Sequence, residues 1–215
     1  MRSFGAVCET SLPCGHAITF GTCGAAGDPG QMTHQKDPQI VEAYQDFFGR
    51  SRPSFSPRRI LEIGVCRGGS LAIWREWFDG AVDIVGVDND PGQIMPWTLD
   101  HYREDPRVQV HGLTMPDPAV ADLGMFDLIV DDGYHGPGSV FPTFDLCWPM
   151  LSRNGIYVVE DWHQDFLEPK VQIGHFADKM IGHWPDPMPS PTVPFKTTVY
   201  RAFYAMERRF VGNDT

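Results

Sequence analysis

The chain has 215 residues with 42% hydrophobic and 21% charged side chains, long enough for one domain with a sizeable core and too short for two ordinary ones. A formal net charge of −11, with basic residues scattered apart from pairs such as Arg58-Arg59 and Arg208-Arg209, repels phosphate backbones and argues against nucleic acid as a partner. No apolar run approaches the ~20 residues of a membrane span, and five irregularly spaced cysteines (Cys8, Cys14, Cys23, Cys66, Cys147) fit a reduced cytoplasmic protein better than a disulfide framework.

Residues 1–31 are rich in Gly, Ser, Thr and Pro without sustained periodicity, which predicts a mobile N-terminal extension. It lacks the apolar stretch of a secretory signal, and an alternative is that Met32 is the natural start. Cys8, Cys14, His16 and Cys23 are zinc-compatible types, but their C-x5-C-x-H-x6-C arrangement lacks the close paired spacing of zinc motifs. Residues 32–57 read as a helix and a linker. Ile40, Val41, Tyr44, Phe47 and Phe48 recur at three- and four-residue steps between Asp37 and Arg50, predicting an amphipathic helix that Gly49 ends. Such a helix packs on a core or covers a site.

From residue 58 to 215 short apolar runs alternate with helical stretches. The runs are 59–65, 83–88, 108–110, 126–131 and 155–160, β-branched as expected of parallel strands buried on both faces. Ser70 to Phe78 and Val140 to Leu151 are long enough for crossover helices. A late segment, 197–206, predicts an antiparallel pair closing the sheet edge. The fold class is therefore α/β: a doubly wound, mainly parallel, Rossmann-like sheet flanked by helices.

Ligands bind such sheets beyond the carboxyl ends of the strands. Leu61-Glu62-Ile63-Gly64-Val65-Cys66-Arg67-Gly68-Gly69-Ser70 ends a strand in a glycine-rich turn and opens a helix, so backbone can approach a ligand closely. The spacing is not G-x-G-x-x-G and no phosphate-binding G-x-x-x-x-G-K-[ST] exists, which weakens dinucleotide and triphosphate readings. Asp88 ends the next strand, where a carboxylate accepts hydrogen bonds from ribose hydroxyls. An adenosyl ligand without phosphates fits. These two stretches resemble the first and second motifs of class I methyltransferases. The resemblance implies S-adenosylmethionine as cofactor, held by Glu62, Gly64, Arg67, Gly68, Ser70 and Asp88, with adenine near Thr114 or Asp117. Asp131 joins the cofactor group, with a turn cap as its structural alternative.

The most specific stretch is Asp131-Asp132-Gly133-Tyr134-His135, paired with Val159-Glu160-Asp161-Trp162-His163 at the next strand end. Asp132, Glu160 and Asp161 would converge, and three adjacent carboxylates repel unless a cation or protons neutralise them. Oxygen ligands suit magnesium. Together with Phe144, Leu146 to Leu151 and Gly155 to Asp161, the pattern resembles the macrolide sugar O-methyltransferases of mycinamicin type and the cephalosporin hydroxylase family. It covers roughly residues 58–163. The resemblance implies magnesium on Asp132, Glu160 and Asp161 and His135 as general base, with His163 as runner-up. A base beside a metal-activated hydroxyl makes chemical sense, since a protonated hydroxyl is a poor nucleophile. The bland alternatives are that Asp161 caps a helix and His135 is structural. Tyr134 stands where relatives more often carry a small residue, and Trp162, Phe166 and Trp184 are candidate pocket aromatics. The expected function is Mg-assisted O-methylation of a hydroxylated small molecule. N- or C-methylation and a non-catalytic binding role are the alternatives. Neither membrane nor nucleic acid is expected as partner, and the oligomeric state stays open, a homo-oligomer included.

Overall fold

The computed structural model describes residues 9–11, 17–20, 32–34, 38–78, 82–93, 105–134, 137–160, 195–199 and 203–208. Seven strands form the main sheet: β4 (Arg59–Ile63), β5 (Asp83–Asp88), β6 (Val108–Gly112), β7 (Phe126–Asp131), β8 (Leu151–Glu160), β9 (Phe195–Val199) and β10 (Phe203–Arg208). Their order is β6-β5-β4-β7-β8-β10-β9. The strands from β6 to β8 run parallel, and β10 is antiparallel to both β8 and β9. The expected antiparallel pair is thus present, with the later strand inserted inside the earlier one. The order in which strands are added reverses between β4 and β7, so the carboxyl ends of these two strands and of β5 and β8 frame one crevice.

Strand alternation divides the core between two faces. Ile60, Ile84, Leu128, Val130, Ile156 and Val158 pack with α1 (Pro38–Asp46) and α2 (Gly69–Trp77). Leu61, Val85, Val87, Ile129, Tyr157 and Val159 pack with α3 (Pro137–Cys147). Trp74, Trp77, Phe47, Phe48 and Phe144 are fully buried, each worth roughly 2–3 kcal/mol of transfer free energy.

The first helix does not stop at Gly49. It widens into a π turn, Phe47–Ser51, closed by Arg52 N–H donating to the Phe47 carbonyl at 2.8 Å. The two consecutive phenylalanines are both sequestered from water, a gain that offsets the glycine's poor helix propensity. β8 begins at Leu151, earlier than its apolar run suggests. Its first half includes Asn154 in the left-handed region (φ 61°) and a register shift opposite Phe126, so apolar patterning appears only from Gly155 onward. Within the segment expected to be a mobile extension, β1 (Glu9–Ser11) and β2 (Ala17–Phe20) pair antiparallel, and β2 runs parallel to β3 (Met32–His34). Strands of three or four residues are too short to generate readable alternation. Among the described residues no helix is long and apolar enough to cross a membrane.

Candidate active site

The turn after β4 is pinned at the centre of the crevice. Gly64 N–H donates to the Val87 carbonyl and Asp132 N–H to the Ile63 carbonyl, both at 2.9 Å, tying together the ends of β5, β4 and β7. Gly64 has φ +84°, and a Cβ there would lie 2.1 Å from the Asp132 carbonyl oxygen. The sequence suggests that this glycine lets backbone approach a ligand closely. The structure adds a second demand for glycine, which is to let the acidic turn after β7 cross directly over it. Cys66 (φ 48°) and Gly68 (φ 86°) carry the loop onward in left-handed conformations, and Gly68 caps α2. Ser70 is buried in the first turn of that helix, and Arg67 is half-buried beside it.

Asp88, at the end of β5, accepts from Cys66 N–H at 2.7 Å and from Asp90 N–H at 2.8 Å. It therefore holds the glycine-rich loop against the neighbouring strand end. Asp117 accepts from Ala119 N–H at 2.9 Å and caps the 3-10 turn Pro118–Leu123. Leu113, just upstream, donates its N–H to the Asp88 carbonyl. Glu62, the fourth residue of β4, is fully buried and accepts from the Trp74 indole of α2 at 3.1 Å.

At the other side of β4 the acids separate by face. Asp131 turns toward α3, accepting from the Tyr157 hydroxyl at 3.2 Å and from Gly133 N–H at 3.4 Å. Burial pushes its carboxyl up to about 7, opposed by those two hydrogen bonds and assisted by the Asp132 charge. Burial, and then the Asp131 charge, also raise the Cys147 thiol, so this buried cysteine is not a reactive one. Glu160 turns the opposite way and is fully buried, accepting from the Tyr44 hydroxyl of α1 at 2.6 Å. The Tyr44 ring sits edge-on to Trp74 at 5.1 Å and stacks on Phe48 at 5.7 Å. Burial raises its phenol well above the usual range, followed by Glu160, Asp132 and Glu62. Three carboxylates thus act on one protonated phenol.

Asp132 and Glu160 stand at the ends of adjacent strands and both act on the Tyr44 phenol, while His135 and Asp161 lie outside the described residues, as do His163, Trp162, Phe166 and Trp184. Tyr134 is 78% exposed. Tyr44, Trp74 and Tyr157 were not singled out as site residues by the sequence. Tyr44 did carry a signal, because a phenol on the apolar face of a helix needs an acceptor once buried.

Residues 61–162 match the family model described as a methyltransferase domain. Over that stretch the chain is similar to methyltransferases. The chain is 30% identical over 145 residues to the 8-demethyl-8-alpha-L-rhamnosyl tetracenomycin-C 2'-O-methyltransferase of Streptomyces olivaceus, covering 60% of this chain and 36% of that protein. It is also 30% identical over 111 residues to the mycinamicin VI 2''-O-methyltransferase of Micromonospora griseorubida, covering 48% of this chain and 27% of that protein. The chain therefore spans about a third of the length of the curated relatives it matches. The solved methyltransferase MycE of the mycinamycin pathway, in complex with Mg, SAH and mycinamycin VI, superposes with a TM-score of 0.57 at 19% identity. That match covers 82% of this chain and 51% of MycE, and it shows that the two share the Rossmann-like fold. Tyr44 lies upstream of the matched domain.

Proposed function

We propose that this chain transfers the methyl group of S-adenosylmethionine to a hydroxyl of a sugar or other diol-bearing natural product with the help of magnesium. The observation that carries this reading is that Asp132 and Glu160, at adjacent strand ends, both act on the Tyr44 phenol, on the side of β4 opposite Asp88, which pins the loop after β4. The donor set fits a hard cation. Both are carboxylates, and the negative charge gathered around Tyr44 favours a positive ion nearby. Asp161, next in the chain after Glu160, completes the proposed set on the strength of the motif resemblance.

Magnesium held by Asp132, Glu160 and Asp161 would lower the pKa of an acceptor hydroxyl, and S-adenosylmethionine would supply an activated methyl on sulfonium. The protein contributes position and a proton acceptor. Gly64, Arg67, Gly68 and Ser70 form the cofactor loop, Asp88 takes the ribose hydroxyls, and Asp117 with the backbone near Thr114 meets the adenine. Glu62 and Asp131 serve the same loop by anchoring α2 and the turn at Gly133. His135 removes the acceptor proton. The relatives named above methylate sugar hydroxyls, which supports this acceptor class. The reading places a small-molecule enzyme in the cytoplasm, without a nucleic-acid or membrane partner.

Titration calorimetry of S-adenosylmethionine and S-adenosylhomocysteine into chelator-treated protein, with and without magnesium, tests the proposal. Both ligands bind, and Asp132→Asn removes the magnesium response while keeping the cofactor. Failure of either ligand to bind under both conditions overturns it.

A further inference from the structure

One buried contact joins residues 116 positions apart, the Tyr44 hydroxyl and the Glu160 carboxylate. A buried phenol is satisfied by any acceptor, and helix-to-strand packing offers backbone carbonyls at lower cost than a charge. Here the acceptor is instead a carboxylate at the C-terminal tip of β8, and the 2.6 Å separation is that of a charge-assisted bond. Aromatic neighbours fix the donor. Phe48 stacks on the Tyr44 ring and Trp74 meets it edge-on, while Trp74 also holds Glu62 one layer below on the same face. With Oε1 engaged by this clamped hydroxyl, the Glu160 carboxylate cannot rotate freely, and α1 sets its plane.

We infer that Tyr44 is a positioning residue: its hydroxyl orients Glu160 toward the cation shared with Asp132, which makes α1 part of the active site although it precedes the stretch that matches the family model. The inference rests on the magnesium reading given above. Groups that orient a ligand's carboxylate characteristically set metal affinity rather than cofactor affinity, so the two are separable.

Tyr44→Phe keeps both ring contacts and removes only the hydroxyl. Magnesium titrated into the full chain saturated with S-adenosylhomocysteine should bind at least about tenfold more weakly in this variant, while S-adenosylhomocysteine binding without metal stays within about twofold. The magnesium concentration for half-maximal methyl transfer should rise, and turnover should recover at saturating metal. A purely structural role would instead lower thermal stability and weaken both ligands together. Should Tyr44→Phe not accumulate as folded protein, Tyr44→His, which keeps a ring N–H donor of shorter reach, is titrated in its place and should also bind magnesium more weakly. Folded variant protein with unchanged magnesium affinity overturns the inference alone. If the unsubstituted protein binds no magnesium, or Glu160→Gln binds it normally, the parent reading falls and the inference falls with it.

Discussion

Two buried tyrosine–carboxylate pairs lie on opposite faces of the same sheet end. Tyr157–Asp131 joins adjacent strands 26 residues apart, and both partners fall inside the stretch that matches the family model. Tyr44–Glu160 reaches from a helix upstream of it to the last residue of β8. In the first pair burial raises the acid, which the phenol and the Gly133 amide hold in place as part of the sheet's own packing. In the second, the carboxylate shares its surroundings with Asp132 and Glu62, and burial raises the phenol. Equivalent chemistry therefore serves two ends: one pair consolidates a turn, and the other brings a separate helix to the acids of the crevice.

The largest expected effect breaks both pairs together. Gly64→Ala drives a methyl into the Asp132 carbonyl at a left-handed backbone position, so the turn between Asp131 and Gly133 must move. A loss of about 3 kcal/mol or more in urea-unfolding stability is expected, and an unchanged midpoint would refute the crossing described here. The next effect separates the pairs. Glu160→Gln should lower methyl transfer on the order of 100-fold and abolish its magnesium dependence, whereas Asp131→Asn should retain that dependence with a loss under about tenfold. Equal losses in a side-by-side assay would erase the distinction.

The smallest effect sharpens the contrast between acids held by phenols and one held by cations. Asp105 is lowered to about 2, chiefly by the Arg107 side chain, with Arg75 also bonded to it. Its folded value is below its unfolded one, so its contribution is present above about pH 4 and is lost as pH falls toward 2. Asp105→Asn should cost roughly 0.5–1 kcal/mol at pH 7 after allowance for solvent screening. That difference should vanish near pH 2, and a cost independent of pH would show the charge to be irrelevant.

Why one pair escapes sequence reading while most of the fold does not follows from the range of the signals. Parallel strands buried on both faces announce themselves as β-branched runs, and an acid at the end of each run marks the crevice; Asp88, Asp131, Asp132 and Glu160 are found this way. Periodicity also places Tyr44 on the buried side of α1. It says nothing of where that helix docks, because docking depends on the partner surface and not on the helix itself. Gly49 misleads for a related reason: local propensity predicts a stop, and burial of Phe47 and Phe48 overrides it. Gly64 is legible as a required glycine, yet its reason, the carbonyl of a residue 68 positions later, is visible only in three dimensions. His135 and Asp161 rest on motif alone, as they lie outside the described residues.

The insertion of β10 between β8 and β9 also orders events during synthesis. β8 can pair with β7 as soon as it leaves the ribosome, but its other edge waits for residues 203–208, which emerge after β9 has already been made. Until then, a largely apolar strand offers unpaired amides to any extended chain nearby. The tip of that waiting strand carries Glu160, so truncation before β10 would expose an adhesive edge and leave the acid end of the crevice without its flanking strand.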